Sequence, residues 1–245
     1  MADAGRVLIR SIAVRPAGRG EVRRWPFTVP AIAQVAREGM QLTSSFTVLL
    51  GANGSGKSTL LEAIAEAYGL DRRGGHGDRR HAITQAATPL GSALELTTDP
   101  ASASTVRRAR GFFLRAETAH DVLDFMASHE VPGYGPRPEV VSHGESYLGA
   151  IEGRIAGTGL YLLDEAEGPL SFGNTLRLLD RLRAVTAAGG AHVVYATHSP
   201  LVAAVPEAQI FELDAEGLHE RAFADLDMVA QWQAFLRRPD LFFED

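Results

Sequence analysis

The chain has no cysteine. That excludes a disulfide framework and any thiolate-held zinc, and it suits a reducing compartment. Also lacking is any apolar run near the roughly 20 residues that span a bilayer. Arg10 and Arg15 break the hydrophobic stretch that begins at Val7, so no secretory leader is read there and the expected location is the cytoplasm. A surplus of positive charge is missing as well: the formal net charge is -6, which gives no support to a globally basic nucleic-acid surface. Lysine is the scarcest cation. Of the 24 lysine and arginine residues, only Lys57 is a lysine. Against that arginine-rich background, Lys57 marks a place where a compact point charge is needed and a wide, fork-shaped guanidinium does not serve.

What is present fits a folded domain. Hydrophobic residues make up 45% and charged residues 22% of 245, which excludes a disordered or fibrous chain and allows one large domain or two small ones. Val7 to Arg15 reads as a strand, and Ala31 to Arg37 as a short helix stopped near Gly39. Phe46 to Leu50 is a short apolar run of the kind that forms a strand buried on both faces. A glycine-rich turn follows, and from Lys57 the residues Leu60, Leu61, Ile64, Ala65 and Tyr68 recur at helical spacing up to Gly69. Further strands are expected at 92–98, 105–115, 160–163 and 192–196, with helices at 118–128, 144–155, 175–186 and after Pro200. In the helix at 175–186, leucines 176, 178, 179 and 182 are read as one face. A hairpin at 208–223 and a helix at 225–236 close the chain. Strands alternating with helices predict a layered α/β fold with a mostly parallel sheet. The polar, glycine-rich and basic segment 71–81 reads as a loop, and the absence of interleaved aromatics favours a solvated loop over a nucleic-acid contact.

Three segments carry chemistry. Gly51-Ala52-Asn53-Gly54-Ser55-Gly56-Lys57-Ser58 fits the phosphate-loop pattern G-x-x-x-x-G-K-[ST], in the required setting between a buried strand and a helix, and Thr59 extends it. Glycines let backbone amides close on phosphate oxygens, while the helix start adds unpaired N–H groups and a positive dipole end. Lys57 would bridge the β- and γ-phosphates, the Ser58 hydroxyl would ligate Mg2+, and Thr59 would pack or bond nearer the α-phosphate. Leu160 to Leu163 is an apolar strand ending in Asp164 and Glu165, which fits a metal-holding acid followed by a water-polarising one. His198, at the end of the next strand and followed by Ser199-Pro200, would stand beside them and reach the γ-phosphate or the attacking water.

In this order the segments resemble the ATP-binding-cassette (ABC) ATPase superfamily, particularly its soluble, SMC-like members and the small bacterial AAA-family ATPases. Val141-Ser142-His143-Gly144-Glu145-Ser146 looks like a variant of the family's LSGGQ signature, with Ser142 and Gly144 matching and His143 and Glu145 departing. Asp164 follows Ser142 by 22 positions and His198 follows Asp164 by 34, which leaves room for the family's intervening helices. The resemblance implies a single P-loop NTPase domain over 1–245, with an ABC-type head and a short helical subdomain near 116–157. It implies ATP and Mg2+ as ligands and a head-to-tail homodimer in which Ser142 and Gly144 of one copy close on the triphosphate held by the other. Ser142 also reads as a helix cap, with Glu145 completing a capping box, and both readings hold together.

Departures narrow the class. Where the family's glutamine loop should follow Gly111-Phe112-Phe113-Leu114, Arg115-Ala116-Glu117 stands instead, which weighs against a transporter subunit. Ala166 replaces the more usual proline after Glu165, and Gly168-Pro169-Leu170-Ser171 lacks the family's D-loop aspartate. Trp25 and Phe27 precede the phosphate loop at a distance suited to adenine stacking, although core positions are the simpler reading. The Asn-Lys-x-Asp base reader of a GTPase is excluded by the single lysine, and the 85 positions from Lys57 to Ser142 leave no room for a long coiled coil. Three function classes stand: an ATP-hydrolysing dimer that drives an unknown protein partner, a low-turnover ATP-sensing switch attached to a nuclease, defence effector or DNA-associated partner, and, least favoured, the ATP-binding subunit of a membrane transporter.

Overall fold

The computed structural model describes residues 7–15, 24–76, 87–102, 110–115 and 143–243. Among these, ten strands form two sheets. The smaller is antiparallel, with β1 (Ile9–Val14) between β2 (Met40–Gln41) and β5 (Leu94–Thr98). The larger has seven strands in the order β10 (Leu218–Arg221), β9 (Gln209–Leu213), β3 (Phe46–Gly51), β8 (Ala191–Thr197), β7 (Gly159–Asp164), β6 (Gly111–Arg115) and β4 (Gly75–His76). Its five central strands run parallel, and the edge strands β10 and β4 are antiparallel. The mixed α/β class with a mostly parallel sheet is therefore the observed one.

Residues of the central strands alternate between two cores, as pleated strands buried on both faces must. Leu49, Leu160, Leu162, Val194 and Ala196 face α1 (Pro30–Glu38), α2 (Lys57–Tyr68) and the small sheet. Val48, Leu50, Leu163, Val193 and Tyr195 face α4 (His143–Glu152), α5 (Phe172–Ala187), α6 (Pro200–Ala203) and the start of α7 (Asp227–Arg237). Gly69 caps the C-terminus of α2, and its φ of 95° suits glycine. Burying Leu60, Leu61, Ile64 and Tyr68 stabilises α2 by roughly 1.5–3 kcal/mol for each large side chain. No helix among the described residues is long and apolar enough to cross a membrane.

Several expectations need correction. Residues 92 and 93 belong to α3 (Pro89–Ala93), capped by the Thr88 hydroxyl, so the strand begins only at Leu94. In α5 the buried stripe is Thr175, Leu178, Leu179, Leu182 and Val185, whereas Leu176 is 40% exposed because it lies off that three-four spacing. Within 71–81, Gly75 and His76 pair as a strand with Phe113 and Phe112. Of the two aromatics ahead of the phosphate loop, Phe27 is core but Trp25 is 65% exposed. The expected helix at 118–128, the strand residues 105–109 and positions 116–142 of the helical subdomain lie outside the described residues.

One buried polar group ties the two sheets together. The Ile9 N–H of β1 approaches Nδ1 of His192 at 3.3 Å, and Thr47 Oγ1 lies 3.3 Å from Nε2. A backbone N–H only donates, so Nδ1 is the acceptor and the ring proton sits on Nε2, facing the Thr47 hydroxyl. Complete burial holds this imidazole neutral, with its pKa lowered from 6.5 to about 3. Because the folded pKa lies below the unfolded one, the contribution is fully present above pH 6.5 and is lost as pH falls towards 3. Denaturant titrations between pH 6 and 4 should show stability falling by about 1.4 kcal/mol per pH unit from this residue, and His192→Gln should remove that slope.

Candidate functional site

The parallel register places the chemistry at one edge of the large sheet. Leu50 pairs with Thr197, Leu163 with Tyr195 and Asp164 with Ala196, so the segments after β3, β7 and β8 open side by side. The phosphate loop leaves β3 at Gly51. A Cβ there would lie 2.2 Å from the Leu213 carbonyl oxygen of β9, so backbone packing alone demands glycine. Gly56 caps α2 in the left-handed region with φ 103°, and a Cβ would meet Val29 at 3.0 Å. Ala52, Asn53 and Gly54 form the exposed tip, Ser55 is half-buried, and Thr59 lies in the first turn of α2.

Lys57 is 4% exposed, and its ammonium group is heavily engaged. It donates to the carbonyls of Gly51 at 2.6 Å and Ala52 at 3.3 Å, and its Nζ lies 3.0 Å from His198 Nε2. Burial lowers its pKa, while the charges of Glu165, Asp164 and Glu167 act to raise it. An ammonium held by accepting carbonyls in an open loop is a cation prepared for an anion.

One residue beyond Lys57, the Ser58 hydroxyl donates to Asp164 Oδ1 at 3.1 Å. Asp164 is 7% exposed; desolvation raises its pKa, and the Ser58 hydrogen bond and the Arg115 charge oppose that rise. Two adjoining hard oxygens, one a desolvated carboxylate, suit Mg2+, whose remaining positions are filled by phosphate and water oxygens rather than by an all-protein cage. No cluster of three or more metal-binding His, Asp or Glu side chains is found among the described residues.

Strand alternation would send Asp164 and Glu165 to opposite faces of the sheet. A turn prevents that. Glu165 adopts φ 53°, an uncommon conformation for a side-chain-bearing residue, and its N–H donates to the Ala196 carbonyl at 2.9 Å. Its Oε1 then comes to 2.7 Å from His198 Nε2. One ring nitrogen holds either a proton or a lone pair, so Nε2 either donates to Glu165 or accepts from Lys57 and does not do both. His198 therefore stands between the phosphate-loop cation and the acid, with its ring 38% exposed.

Sequence reading missed two residues. Glu167 accepts hydrogen bonds from Tyr195 at 2.9 Å and from the Thr197 hydroxyl, and Thr197 Oγ1 in turn accepts the Ser199 N–H at 2.8 Å. Tyr195 and Thr197 are two apart on β8 and so share a face, which Glu167 clamps just before His198. The visible signal was the third acid of Asp-Glu-Ala-Glu; its partners lie 28 and 30 positions away and leave no local pattern. The second residue is Arg115, paired in register with Asp164 across β6 and β7. Of the signature residues, Ser142 lies outside the described residues, and Gly144 is in the first turn of α4.

A phosphate loop, an acid pair and a strand-end histidine thus lie together on one edge of this sheet. Residues 46–104 match the family described as "AAA domain, putative AbiEii toxin, Type IV TA system". No curated protein matches the chain. Similar solved structures include an inward-facing "putative metal-chelate type ABC transporter", at 17% identity and TM-score 0.48 over 94% of this chain and 89% of that one. A dimeric ATP-binding cassette in a post-hydrolysis state with ADP and phosphate is 17% identical, with TM-score 0.43 over 76% and 88% of the two chains. A dimeric bacterial ABC transporter cassette is 20% identical, with TM-score 0.39 and the same coverage.

Glu167→Gln removes the carboxylate that collects both β8 hydroxyls. It should lower stability by about 1–3 kcal/mol in denaturant titrations, and it should slow any turnover that depends on the placement of His198.

Proposed function

We propose that the chain is a magnesium-dependent ATPase of ABC type: a single cytoplasmic head domain, whose two copies associate head to tail when ATP is bound. The convergence of Lys57, Ser58, Asp164, Glu165 and His198 on one sheet edge carries this reading. Lys57 and the loop amides of Gly51, Asn53, Gly54, Ser55, Gly56, Ser58 and Thr59 would hold the phosphates. In doing so Lys57 exchanges carbonyl partners for phosphate oxygens, which makes its contacts charge-assisted and stronger. Ser58 and Asp164 would hold Mg2+, which supplies charge neutralisation at the phosphates. Glu165 is the general base: its carboxylate takes a proton from the attacking water, and its backbone turn fixes the direction from which that proton arrives. His198 contacts the γ-phosphate end, and the choice of its Nε2 between Lys57 and Glu165 is resolved when an anion draws Lys57 away. Ser142 and Gly144 act across the dimer, completing the site of the other copy.

A second reading is favoured by one contact. With His198 Nε2 2.7 Å from Glu165, the base is already engaged, and that arrangement suits an ATP-sensing switch of low intrinsic turnover, released by a partner. The toxin and toxin–antitoxin wording of the matching family belongs with this alternative. A transporter role is the least supported, since Arg115 stands where the coupling glutamine is expected.

Glu165→Gln separates these readings. ATP affinity should stay within about twofold of the parent while turnover drops by at least about a hundredfold. Equal turnover in the variant contradicts the assignment of the base, and a parent that binds ATP without hydrolysing it favours the switch.

A further inference from the structure

Arg115 is built into the nucleotide site. It ends β6 directly opposite Asp164 at the end of β7, so both residues reach the sheet edge together. Its NH1 is braced 2.8 Å from Glu62 Oε1, and its Nε lies 4.0 Å from Asp164 Oδ2. Glu62 sits one helical turn beyond Ser58 on α2, so the brace comes from the same helix that carries Lys57 and Ser58. Only 16% of the Arg115 side chain is exposed. A fixed cation thus borders the carboxylate that shares a hydrogen bond with Ser58, at a position where the family resemblance leads one to expect an uncharged glutamine.

A glutamine and an arginine there do different things. A neutral amide leaves the Asp164 charge to be balanced by Lys57 and a divalent ion. A guanidinium balances it beforehand, repels an incoming divalent ion, and adds planar donors suited to phosphate oxygens. We propose that Arg115 is a resident counter-cation of the nucleotide site, shared between Asp164 and the terminal phosphate, which lets the protein hold ATP with little or no Mg2+ and raises the Mg2+ concentration needed for full occupancy. This rests on the ATP-binding reading above. It adds that binding and metal loading are partly uncoupled, so ATP can be held before the metal-dependent step begins.

The test is nucleotide affinity with a fluorescent ATP analogue, in excess EDTA and in saturating Mg2+, for the full chain and for Arg115→Gln and Arg115→Lys. In EDTA, R115Q should bind about tenfold or more weakly than the parent, the scale of one lost charge-assisted contact. In saturating Mg2+ the two should agree within about threefold, and the Mg2+ midpoint should shift to lower concentration in R115Q. R115K, which keeps the charge, should retain most of the EDTA binding. A merely structural role predicts equal losses in both conditions and no midpoint shift, and that result overturns the inference. Thermal melts of each variant show whether an equal loss reflects unfolding; in that case R115K, if folded, decides by its EDTA-to-Mg2+ ratio. If the parent binds no ATP in either condition, the ATP-binding reading falls and the inference with it. If the parent binds only with Mg2+, the inference alone falls.

Discussion

Burying one ammonium group sets the terms for everything around it. Lys57 is nearly inaccessible, and a lone charge in that position is expensive unless donors find acceptors and counter-charges stand close. Both conditions are met by segments far apart in sequence. The loop folds back so that the Gly51 and Ala52 carbonyls accept from Nζ, and the acids after β7 surround it with negative charge. That compensation is provisional in the useful sense: carbonyl acceptors are weaker partners than phosphate oxygens, so a triphosphate bound as proposed would displace them favourably.

The parallel sheet supplies the alignment. Adjacent central strands end at one level, and each delivers its next residues to the same edge, where ligands of open α/β sheets gather. Alternation of side chains alone would scatter the acids, and the left-handed turn at Glu165 gathers them at local conformational cost. Glu167 stabilises the result from below by clamping Tyr195 and Thr197, while His192 locks the small sheet to the large one at the opposite end of β8. Strand β8 is therefore anchored at both ends by polar side chains in an otherwise apolar layer.

Much of this was legible in the sequence, for identifiable reasons. Strands buried on both faces appear as continuous apolar runs, and Phe46 to Leu50, Leu160 to Leu163 and His192 to Ala196 were all read within a residue or two of their ends. The phosphate loop was legible because its chemistry is contiguous, with Lys57 and Ser58 adjacent and glycines where backbone approach forbids a Cβ. Glu167 was not, and Arg115 stood out only as a departure from the expected glutamine, because the partners of both lie on other elements, which local spacing does not encode. Leu176 was misread because four leucines suggest a wider stripe than the three-four phase of α5 buries. Trp25 shows the same limit: aromatic identity did not reveal that its ring faces solvent while Phe27, two residues on, is enclosed.

The central claim is that this sheet edge is a polyphosphate cradle organised by Lys57. Calorimetric affinities for AMP, ADP and ATP in the presence of Mg2+ test it most directly. Affinity should climb with each added phosphate, ATP should exceed AMP by at least about a hundredfold, and Lys57→Ala should flatten the series. Comparable binding of AMP and ATP, or a series that survives the loss of Lys57, would contradict the account.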